Sequence, residues 1–567
     1  MKKFIYSLLF ICVAGLTGCA NLDLNPPAEA SSETWFSTIE EFEYACNDLY
    51  RLDLWYWECN RAWHTDRWTD DWEQQAHGYE WCSGSLMSTT GYVKTTWKNT
   101  YKAITRCNAL IANVEKQRGR LSEKQLNKFE GEARFMRACF YSYLTFLYGD
   151  IPFFTDYITV DQAYSMGRTP RAEIIKNIYA DFDRAAELLP ETNGSVIRAI
   201  KSTAYAFKAR TASWFLDYPT AAKAAKDCID TQVYSLDPDF ESMFLLSTHA
   251  SKEFIFTIPR SRELNNELIT MTSFLPRNNQ GKALAVPSLE LFCAYLCDDG
   301  LPIDKSPRFD RTKPFANRDP RLGYTMPAFG TTFLGIEWDP TKTKVMNYST
   351  GKEITNNDSQ LQNASASWSG MILKKGVDES WLVDKKADPD QIIMRYADVL
   401  LMYAEAKIEM NEIDQSVLDA MNDVRARAYK VNRNQTDKYP SITTTDQKEL
   451  RFILRSERRM EFAWENRRWF DLMRWELCDV AINRPIISLP QKTQLNKNVK
   501  TGDFFFANDI LPEIEESGLV NLVPLISSNA NLRRSLERKF DPKKGYLLPL
   551  PETDVLLIPG MIQNPGY

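Results

Sequence analysis

The sequence predicts a mostly α-helical protein with a single large folded domain. Two long stretches without Gly or Pro, Trp97 to Ile111 and Phe135 to Leu147, carry apolar residues at helical spacing. Between residues 236 and 390 the pattern changes, because Pro, Gly, Asn and Asp become frequent and helix signals are sparse. Helical patterns return at Ile392. We therefore expect helices in both outer parts of the chain and a loop-rich elaboration laid over them.

The chain begins with the pattern of an exported bacterial lipoprotein. Lys2 and Lys3 precede an apolar run of 13 residues, Phe4 to Leu16, which is too short to cross a bilayer as a helix. The run leads into Leu-Thr-Gly-Cys, which resembles the lipobox that is cleaved before its cysteine, Cys19. We expect residues 1–18 to be a signal peptide and Cys19 to carry lipid. Residues 19–33 would be the lipidated tether.

Residues 34–235 read as helices interrupted by one aromatic segment. Successive amphipathic helices joined by short turns favour helix-pair stacking of the tetratricopeptide kind, although the repeat consensus itself is absent. Besides the two stretches named above, the predicted helices are Ile39–Tyr50, Arg168–Leu189, Lys201–Leu216 and Thr220–Thr231.

The aromatic segment between Trp35 and Trp97 holds eight of the 15 tryptophans. Residues 51–97 show no clean period of 2 or 3.6, which predicts loops and short turns. Acidic and amide residues lie between the indoles. Sugar rings present an apolar C–H face and a rim of hydroxyls, which indoles and carboxylates can cover and satisfy. A sugar-binding surface is one interpretation, and indoles that bury themselves in the core are the other.

The loop-rich middle, residues 236–390, contains two regular elements in this interpretation. Glu253 to Ile258 is predicted to be a short strand, and Leu289 to Leu296 a helix. We expect the same region to supply further ligand contacts from its loops.

The C-terminal part, residues 391–567, contains the segment around which the chain is organised. Glu457 to Trp475 (ERRMEFAWENRRWFDLMRW) has no Gly or Pro, and with the residues from Lys448 onward it predicts a helix of about five turns or more. Glu457, Glu461 and Glu465 would then form one line of like charge, which needs arginines from elsewhere. Its aromatic residues point in several directions. We expect a central, surrounded helix whose charges are structural, because no nucleophile, His or Gly-rich loop accompanies them.

This segment and several others resemble landmarks of the SusD/RagB family, the glycan-binding surface lipoproteins of Bacteroidetes. The matching stretches are Glu132–Ala138 followed by Tyr148–Pro152, Asp299–Ile303, Arg318–Leu322, Arg395–Ala406 (RYADVLLMYAEA), Glu457–Trp475, Tyr546–Pro551 and Gln563–Tyr567. An acidic Asn-Pro segment that is usual near the end is altered here to Leu556-Leu557-Ile558-Pro559. The resemblance implies a SusD-like domain over residues 34–567, built on tetratricopeptide repeats.

The resemblance also implies a function. Such a protein captures an oligosaccharide or polysaccharide at the cell surface and delivers it to a TonB-dependent outer-membrane transporter of the SusC type, without breaking a bond. We therefore expect a lipid-anchored outer-membrane protein that is not an enzyme and needs no cofactor.

For the glycan site we select residues from the aromatic segment and the middle loops. Trp81 is expected to be a stacking platform with Trp72 as second aromatic, and Asp66 and Asp70 to accept sugar hydroxyls. Further candidates are Cys297 and Asp298 on a facing loop, together with Tyr396 and Trp338. The arrangement of Trp81 and Cys297 resembles the fructan-binding branch of the family, so a fructan is the expected ligand.

Composition excludes other partners. The formal charge is −6, or −8 without the signal peptide, and no basic cluster accompanies it, which argues against nucleic acid. With three His and no Cys-x-x-Cys pair, a zinc site is not expected.

Three alternatives remain open at this stage. The chain could be a structural lid subunit of a transporter, or it could capture peptides. It could also be a glycoside hydrolase that uses a pair among Asp66, Asp70, Asp71 and Glu73.

Overall fold

The computed structural model describes residues 35–59, 65–74, 80–192, 194, 198–245, 251–269, 271–506, 510–528 and 532–567. The chain folds as one mostly helical domain, with 45% helix and 9% strand, which confirms the predicted fold class. The predicted signal peptide, Cys19 and the tether lie outside the described residues. None of the described helices is long and apolar enough to cross a membrane.

The N-terminal part is built from helices that pack on one another in sequence order. They are α1 (Ile39–Asp48), α2 (Tyr56–Cys59), α3 (Glu80–Ser83), α4 (Gly91–Gln117), α5 (Glu123–Tyr148), α6 (Val160–Ser165), α7 (Arg171–Leu188), α8 (Lys201–Trp214) and α9 (Tyr218–Asp230). Helix α5 packs on α4 and α7, and α7 packs in turn on α8 and α8 on α9. Local signals set the ends: Thr38 and Glu41 form a capping box at α1, and Gly149 (φ 77°) terminates α5.

The middle part combines short helices with small sheets. Its helices are α10 (Leu289–Ala294), α11 (Pro320–Thr325) and α12 (Trp381–Asp384), and its strands are β2 (Phe254–Ile258), β3 (Ala285–Pro287), β4 (Thr331–Phe333), β5 (Ile336–Trp338), β6 (Lys344–Asn347), β7 (Lys352–Thr355) and β8 (Gln391–Arg395). Strands β4 to β7 form an antiparallel four-stranded sheet in sequence order, and β3 pairs with β1 (Trp72–Gln74). The strand predicted at 253–258 is present, whereas the four-stranded sheet was not foreseen.

The C-terminal part returns to helices. It contains α13 (Tyr396–Glu409), α14 (Gln415–Ala428), α15 (Gln447–Glu461), α16 (Arg468–Arg474), α17 (Cys478–Asn483), α18 (Lys492–Thr501), α19 (Val523–Ser528) and α20 (Glu552–Leu557), with short strands β9 (Ile486–Ser488), β10 (Glu513–Ile514), β11 (Val520–Asn521) and β12 (Arg533–Leu536). Helix α13 packs on α9, α14 and α15, so the helical stack continues from the first part into the last. Tetratricopeptide geometry in detail stays a prediction.

The long helix predicted through Glu457 to Trp475 is wrong in one respect, because it divides into α15 and α16. Trp464 (φ 61°) and Asn466 (φ 60°) adopt left-handed backbone conformations in the turn between them. Asn466 is held there by Thr65 and Asp66: its N–H donates to Asp66 (2.8 Å), and its side-chain oxygen accepts from the Thr65 N–H (3.0 Å). The break lets Glu465 leave the line of Glu457 and Glu461.

Helix α15 lies between two apolar clusters. Its residue Leu454 packs in the cluster formed mainly by α1 to α9 and α13, and Met460 packs in the cluster formed mainly by the middle part. The prediction that the segment Glu457 to Trp475 is surrounded is confirmed, because Ser456 to Glu461 of α15 and all of α16 are buried.

The charges that α15 carries into the interior are paired by arginines from other elements. Glu461 accepts hydrogen bonds from Arg321 (3.0 Å), Arg395 (2.6 Å) and Arg427. All four side chains are at most 5% exposed. Burial alone would raise the pKa of Glu461, but the surrounding guanidinium groups hold it at about 2. The carboxylate is therefore ionised, and it joins α11, β8 and α14 to α15.

The same pattern continues along the helices. Glu457 pairs with Arg321 and Arg425, and Asp398 pairs with Arg210 (2.7 Å) and Arg458 (3.0 Å). Buried ion pairs thus link α15 to the middle part and to α14 through Glu457 and Glu461, and to the N-terminal helix α8 through Arg458, Asp398 and Arg210.

We expect Glu461→Gln to lower the free energy of unfolding by about 3–5 kcal/mol, because it removes the one carboxylate that three buried guanidinium groups share. The matched control is Glu516→Gln, which removes the exposed ion pair with Lys448 (2.8 Å) and should cost about 0–1 kcal/mol. Chemical denaturation followed by circular dichroism measures both. Equal effects of the two substitutions would contradict the structural role of Glu461.

Candidate functional site

Among the described residues, most indoles of the segment that the sequence predicts as a sugar-binding surface are buried against α16 and the turn before it. The indoles of Trp57, Trp68 and Trp81 lie 5.3, 5.8 and 5.7 Å from the Trp469 ring, centroid to centroid. Trp72 stacks on Trp464 at 4.2 Å with an interplanar angle of 17°. These rings stabilise the fold by packing on the two tryptophans of the motif.

The carboxylates of the same segment also stabilise the fold, because they pair with arginines of α15 and α16. Asp70 receives two hydrogen bonds from Arg468 (2.9 and 2.8 Å), and Asp71 receives one from Arg459 (2.8 Å). These two pairs join the N-terminal part of the chain to residues nearly 400 positions later. These two pairs cannot be predicted from the spacing of residues in the sequence. The sequence indicates only that the arginines of α15 and α16 need acidic partners from elsewhere in the chain.

The expectation that Trp81, Trp72, Asp66 and Asp70 form a sugar-binding surface is corrected. Their exposed fractions are 3%, 4%, 0% and 4%. The Trp81 indole N–H donates to the Gly545 carbonyl (3.3 Å), so even its polar edge is used inside the protein. The competing interpretation of these residues as core was the right one.

The candidate ligand contacts from the middle part, Cys297, Asp298 and Trp338, do not form a common surface with the residues of the aromatic segment. Cys297 is completely buried, and Trp338 is 4% exposed in the four-stranded sheet. Asp298 is partly exposed and bound by Arg308 (2.5 and 2.8 Å), so its role in binding stays a prediction. Because Trp81 and Cys297 are both inaccessible, the expectation of a fructan loses its basis.

The four carboxylates considered for glycoside hydrolysis are also unsuitable. Asp66, Asp70, Asp71 and Glu73 are all buried, where a glycosidic bond cannot reach them. Burial raises the pKa of Asp66 to about 8, against the lowering effect of the Asn466 N–H. Burial likewise raises the pKa of Glu73 to about 8, although Ser488 donates a hydrogen bond to it (2.5 Å). Within the described part of the chain, no cluster of His, Cys, Asp and Glu could hold a metal ion.

Tyr396 is the predicted candidate that reaches an open cavity. It lies at the start of α13, partly exposed, in a hollow of about 730 Å³ that we call the Tyr396 hollow. Binding cavities for small molecules commonly measure about 300–1,000 Å³. The apolar part of the lining consists of Tyr234, Leu236, Pro238, Tyr396, Leu400 and Val431.

The two tyrosine rings give the hollow its aromatic lining. Their centroids are 6.4 Å apart at an interplanar angle of 37°. Tyr234 follows α9, and its hydroxyl is within 3.2 Å of Ser202 and Thr203, which fixes the ring. Two phenol rings at this separation can cover the apolar faces of adjacent sugar units.

The polar part of the lining comes from α14 and the loop that follows it. It contains Ser235, Asp423, Arg427, Lys430, Asn432, Arg433 and Gln435. Asp423 and Arg433 form a 3.2 Å ion pair with 42% and 40% of their side chains exposed. Lys430 pairs with Asp239 at 3.3 Å in a similarly exposed position. Exposed pairs contribute only about 0–1 kcal/mol, so a ligand hydroxyl can replace either partner at little cost.

Our sequence reasoning missed every lining residue of this hollow except Tyr396. The available signal was the polar run from Lys430 to Gln435 directly after a rigid helix, since loops on rigid scaffolds often carry binding groups. The sugar site was instead predicted in the Trp-rich segment, because the composition of that segment is more unusual than that of the loop from Lys430 to Gln435.

The buried acids make stability depend on pH in a defined direction. Asp66 and Glu73 keep their protons in the folded state up to about pH 8, whereas the unfolded chain releases them near pH 4. The free energy of unfolding should therefore fall as pH rises from about 5 to about 8, by up to about 1.4 kcal/mol per pH unit for each group. We expect the double variant Asp66→Asn/Glu73→Gln to flatten this slope. Urea denaturation across this range measures it.

The control for this experiment is Asp53→Asn, which changes a carboxylate that is 42% exposed and bound by Arg51 on the surface. It should leave the slope unchanged. If the free energy of unfolding of the double variant depends on pH as steeply as that of the original protein, Asp66 and Glu73 are not the groups that hold these protons.

Comparisons with known proteins agree with this architecture. Residues 252–567 match the family model described as the SusD family, and residues 32–212 match a model described as "Starch-binding associating with outer membrane". A SusD-like protein of Formosa agariphila is 25% identical, with both chains covered over their full length. A crystal structure of a SusD-like carbohydrate-binding protein from Bacteroides fragilis superposes with a TM-score of 0.75 at 25% identity, covering 93% of this chain and 99% of that one.

A further solved structure, a surface glycan-binding protein of Bacteroides fluxus, shares the fold with a TM-score of 0.60 at 18% identity, over 95% of this chain and 100% of its own. The family model spans more than half of the sequence, including α15, α16 and the arginines that pair with them. The chain belongs to the SusD family.

Proposed function

We propose that this protein is a glycan-binding surface lipoprotein that captures an oligosaccharide in the Tyr396 hollow. The observation that carries the proposal is a pair of neighbouring tyrosine rings beside a rim of exposed, weakly paired polar groups, in a cavity of about 730 Å³. The names of its relatives support the ligand class, since solved members of the same fold are described as carbohydrate-binding or glycan-binding.

Binding in this hollow would be weak to moderate for each sugar unit. Lys430, Asn432 and Gln435 lie at a water-exposed rim, so each hydrogen bond to a sugar hydroxyl replaces one to water. The tyrosine faces supply the remaining affinity by removing apolar C–H groups from water. Preference among glycans would follow from which hydroxyls meet Asp423 and Arg433.

We also propose that the protein is anchored in the outer membrane by lipid on Cys19 and faces the cell surface. The lipobox-like Leu-Thr-Gly-Cys and the following tether support this placement, as does the outer-membrane description of the family model for residues 32–212. In this position the captured glycan would pass to a TonB-dependent transporter of the SusC type, which is the partner that the family resemblance implies.

We expect Tyr396→Ala to weaken oligosaccharide binding by about tenfold, equivalent to about 1.4 kcal/mol, because it removes one of the two aromatic faces. Tyr234→Ala should act in the same direction. Isothermal titration calorimetry, with an oligosaccharide selected on a glycan array, measures the change.

The matched control is Tyr44→Ala, which removes a tyrosine that is 63% exposed on α1, away from the hollow. It should leave the affinity unchanged. The site assignment fails if Tyr396→Ala and Tyr44→Ala bind the oligosaccharide equally well. Absence of any glycan ligand on the array would remove the proposed function itself.

A further inference from the structure

An exposed apolar surface lies where the segment of α6 meets α20 and the loop that follows it. We call it the α6–α20 face. Its six side chains are between 48% and 77% exposed: Tyr157, Val160, Tyr164, Leu556, Leu557 and Ile562. Together they expose on the order of several hundred Å² of apolar surface, and patches of that extent on a folded protein mark sites of interaction with a partner. The face shares no residue with the lining of the Tyr396 hollow.

The two segments of the face are fixed against each other. A Cβ atom at Gly560 would lie only 2.7 Å from the Gly167 Cα, so the backbones touch at two residues without side chains. The Arg168 guanidinium donates hydrogen bonds to the Ile562 carbonyl (2.6 Å) and to the Asn564 side-chain oxygen (2.7 Å). The exposed side chains are therefore presented by an anchored backbone.

The exposure of these side chains does not come from loosely attached segments. Helix α6 begins with a capping box, in which Thr159 and Gln162 accept hydrogen bonds from each other's backbone N–H groups (2.8 and 3.3 Å). On the other segment, Val555, Ile558 and Met561 pack against the larger apolar cluster. The exposed leucines of α20 are therefore not needed for its attachment to the core.

The charge of the two segments is negative. Residues 155–168 and 551–563 contain four carboxylates and one guanidinium group. The exposed acids Asp156, Asp161 and Glu552 form no ion pair within the part of the chain that the structure describes. A second copy docked face to face would bring these acids near each other, and an anionic lipid surface would repel them. A positively charged partner would instead neutralise them.

We propose that the α6–α20 face binds a protein segment that carries apolar side chains flanked by Lys or Arg. Affinity would come from removing the exposed leucine, isoleucine and tyrosine surface from water, and the charges would steer and orient the partner. This inference goes beyond glycan capture and does not depend on it. The stretch Leu556–Pro559 is where the chain departs from the acidic segment usual near the end of the family, so the resemblance does not imply this surface.

The test uses the full-length protein and two synthetic helical peptides of about four turns as probes. The peptides share their leucine positions, and one carries Lys where the other carries Glu. Fluorescence anisotropy should show saturable binding of the Leu–Lys peptide and no binding of the Leu–Glu peptide. Leu556→Asp/Leu557→Asp should weaken binding of the Leu–Lys peptide by at least about tenfold, because it places charge in the apolar contact. Val160→Asp, on α6, provides a second variant should the double variant fail to fold.

The matched control is Leu264→Asp/Val383→Asp, which makes the same change at two exposed apolar residues outside the face. General attraction between the Leu–Lys peptide and an acidic protein would strengthen in both double variants, whereas the proposal predicts a loss in the first alone. The proposal is overturned if the Leu–Lys peptide shows no saturable binding, if the Leu–Glu peptide binds equally well, or if both double variants have the same affinity.

Sedimentation velocity tests the other occupant of this face, a second copy of the chain. The proposal predicts that the original protein sediments as a monomer. A dimer that Leu556→Asp/Leu557→Asp dissociates would overturn the proposal in favour of self-association.

Discussion

The structure depends on the need to neutralise the carboxylates that α15 carries into the interior. Glu461 alone gathers guanidinium groups from α11, β8 and α14, and none of these partners lies near it in sequence. Removing a single member of such a set leaves an uncompensated buried charge, which is among the most costly changes a fold can undergo. The middle part and the helical stack are therefore tied to the same helix, and they form one domain.

The same constraint explains why the Trp-rich segment is structural. Arg459, Arg467 and Arg468 of the motif need anions, and Asp71, Glu58 and Asp70 supply them. These pairs lie next to Trp57, Trp68 and Trp72 in sequence, and they hold those indoles against Trp469 and Trp464. Composition alone suggested a sugar surface, but the pairing of charges across nearly 400 residues decides in favour of the core. In the function that we propose, ligand binding is left to the Tyr396 hollow.

The sequence carried enough information for the fold class, the order of the helices and the burial of the motif. Amphipathic stretches without Gly or Pro, such as Phe135 to Leu147, are recognisable as helices from the sequence alone. The many charged residues of Glu457 to Trp475 indicate that this segment is surrounded by other elements that pair with them. It did not predict the turn at Trp464 and Asn466, because that turn is imposed by Thr65 and Asp66. The helix propensity of the residues around the turn does not depend on such distant contacts, so it could not predict the turn.

The candidate site was predictable only at Tyr396. An open cavity is a property of how helices are spaced, and Tyr234 meets Tyr396 because α9 packs on α13. The loop from Lys430 to Gln435 looks in sequence like many polar loops. By contrast, an indole in an irregular acidic segment has the same composition whether it faces sugar or the core, and only its neighbours in space distinguish the two cases.

The most direct test of this account is a crystal structure of the protein with a bound oligosaccharide. We expect electron density for the sugar against the ring faces of Tyr234 and Tyr396, with Trp68, Trp72 and Trp81 still packed on Trp469 and Trp464. Density for the sugar against those three indoles, with the Asp70–Arg468 pair opened, would contradict it.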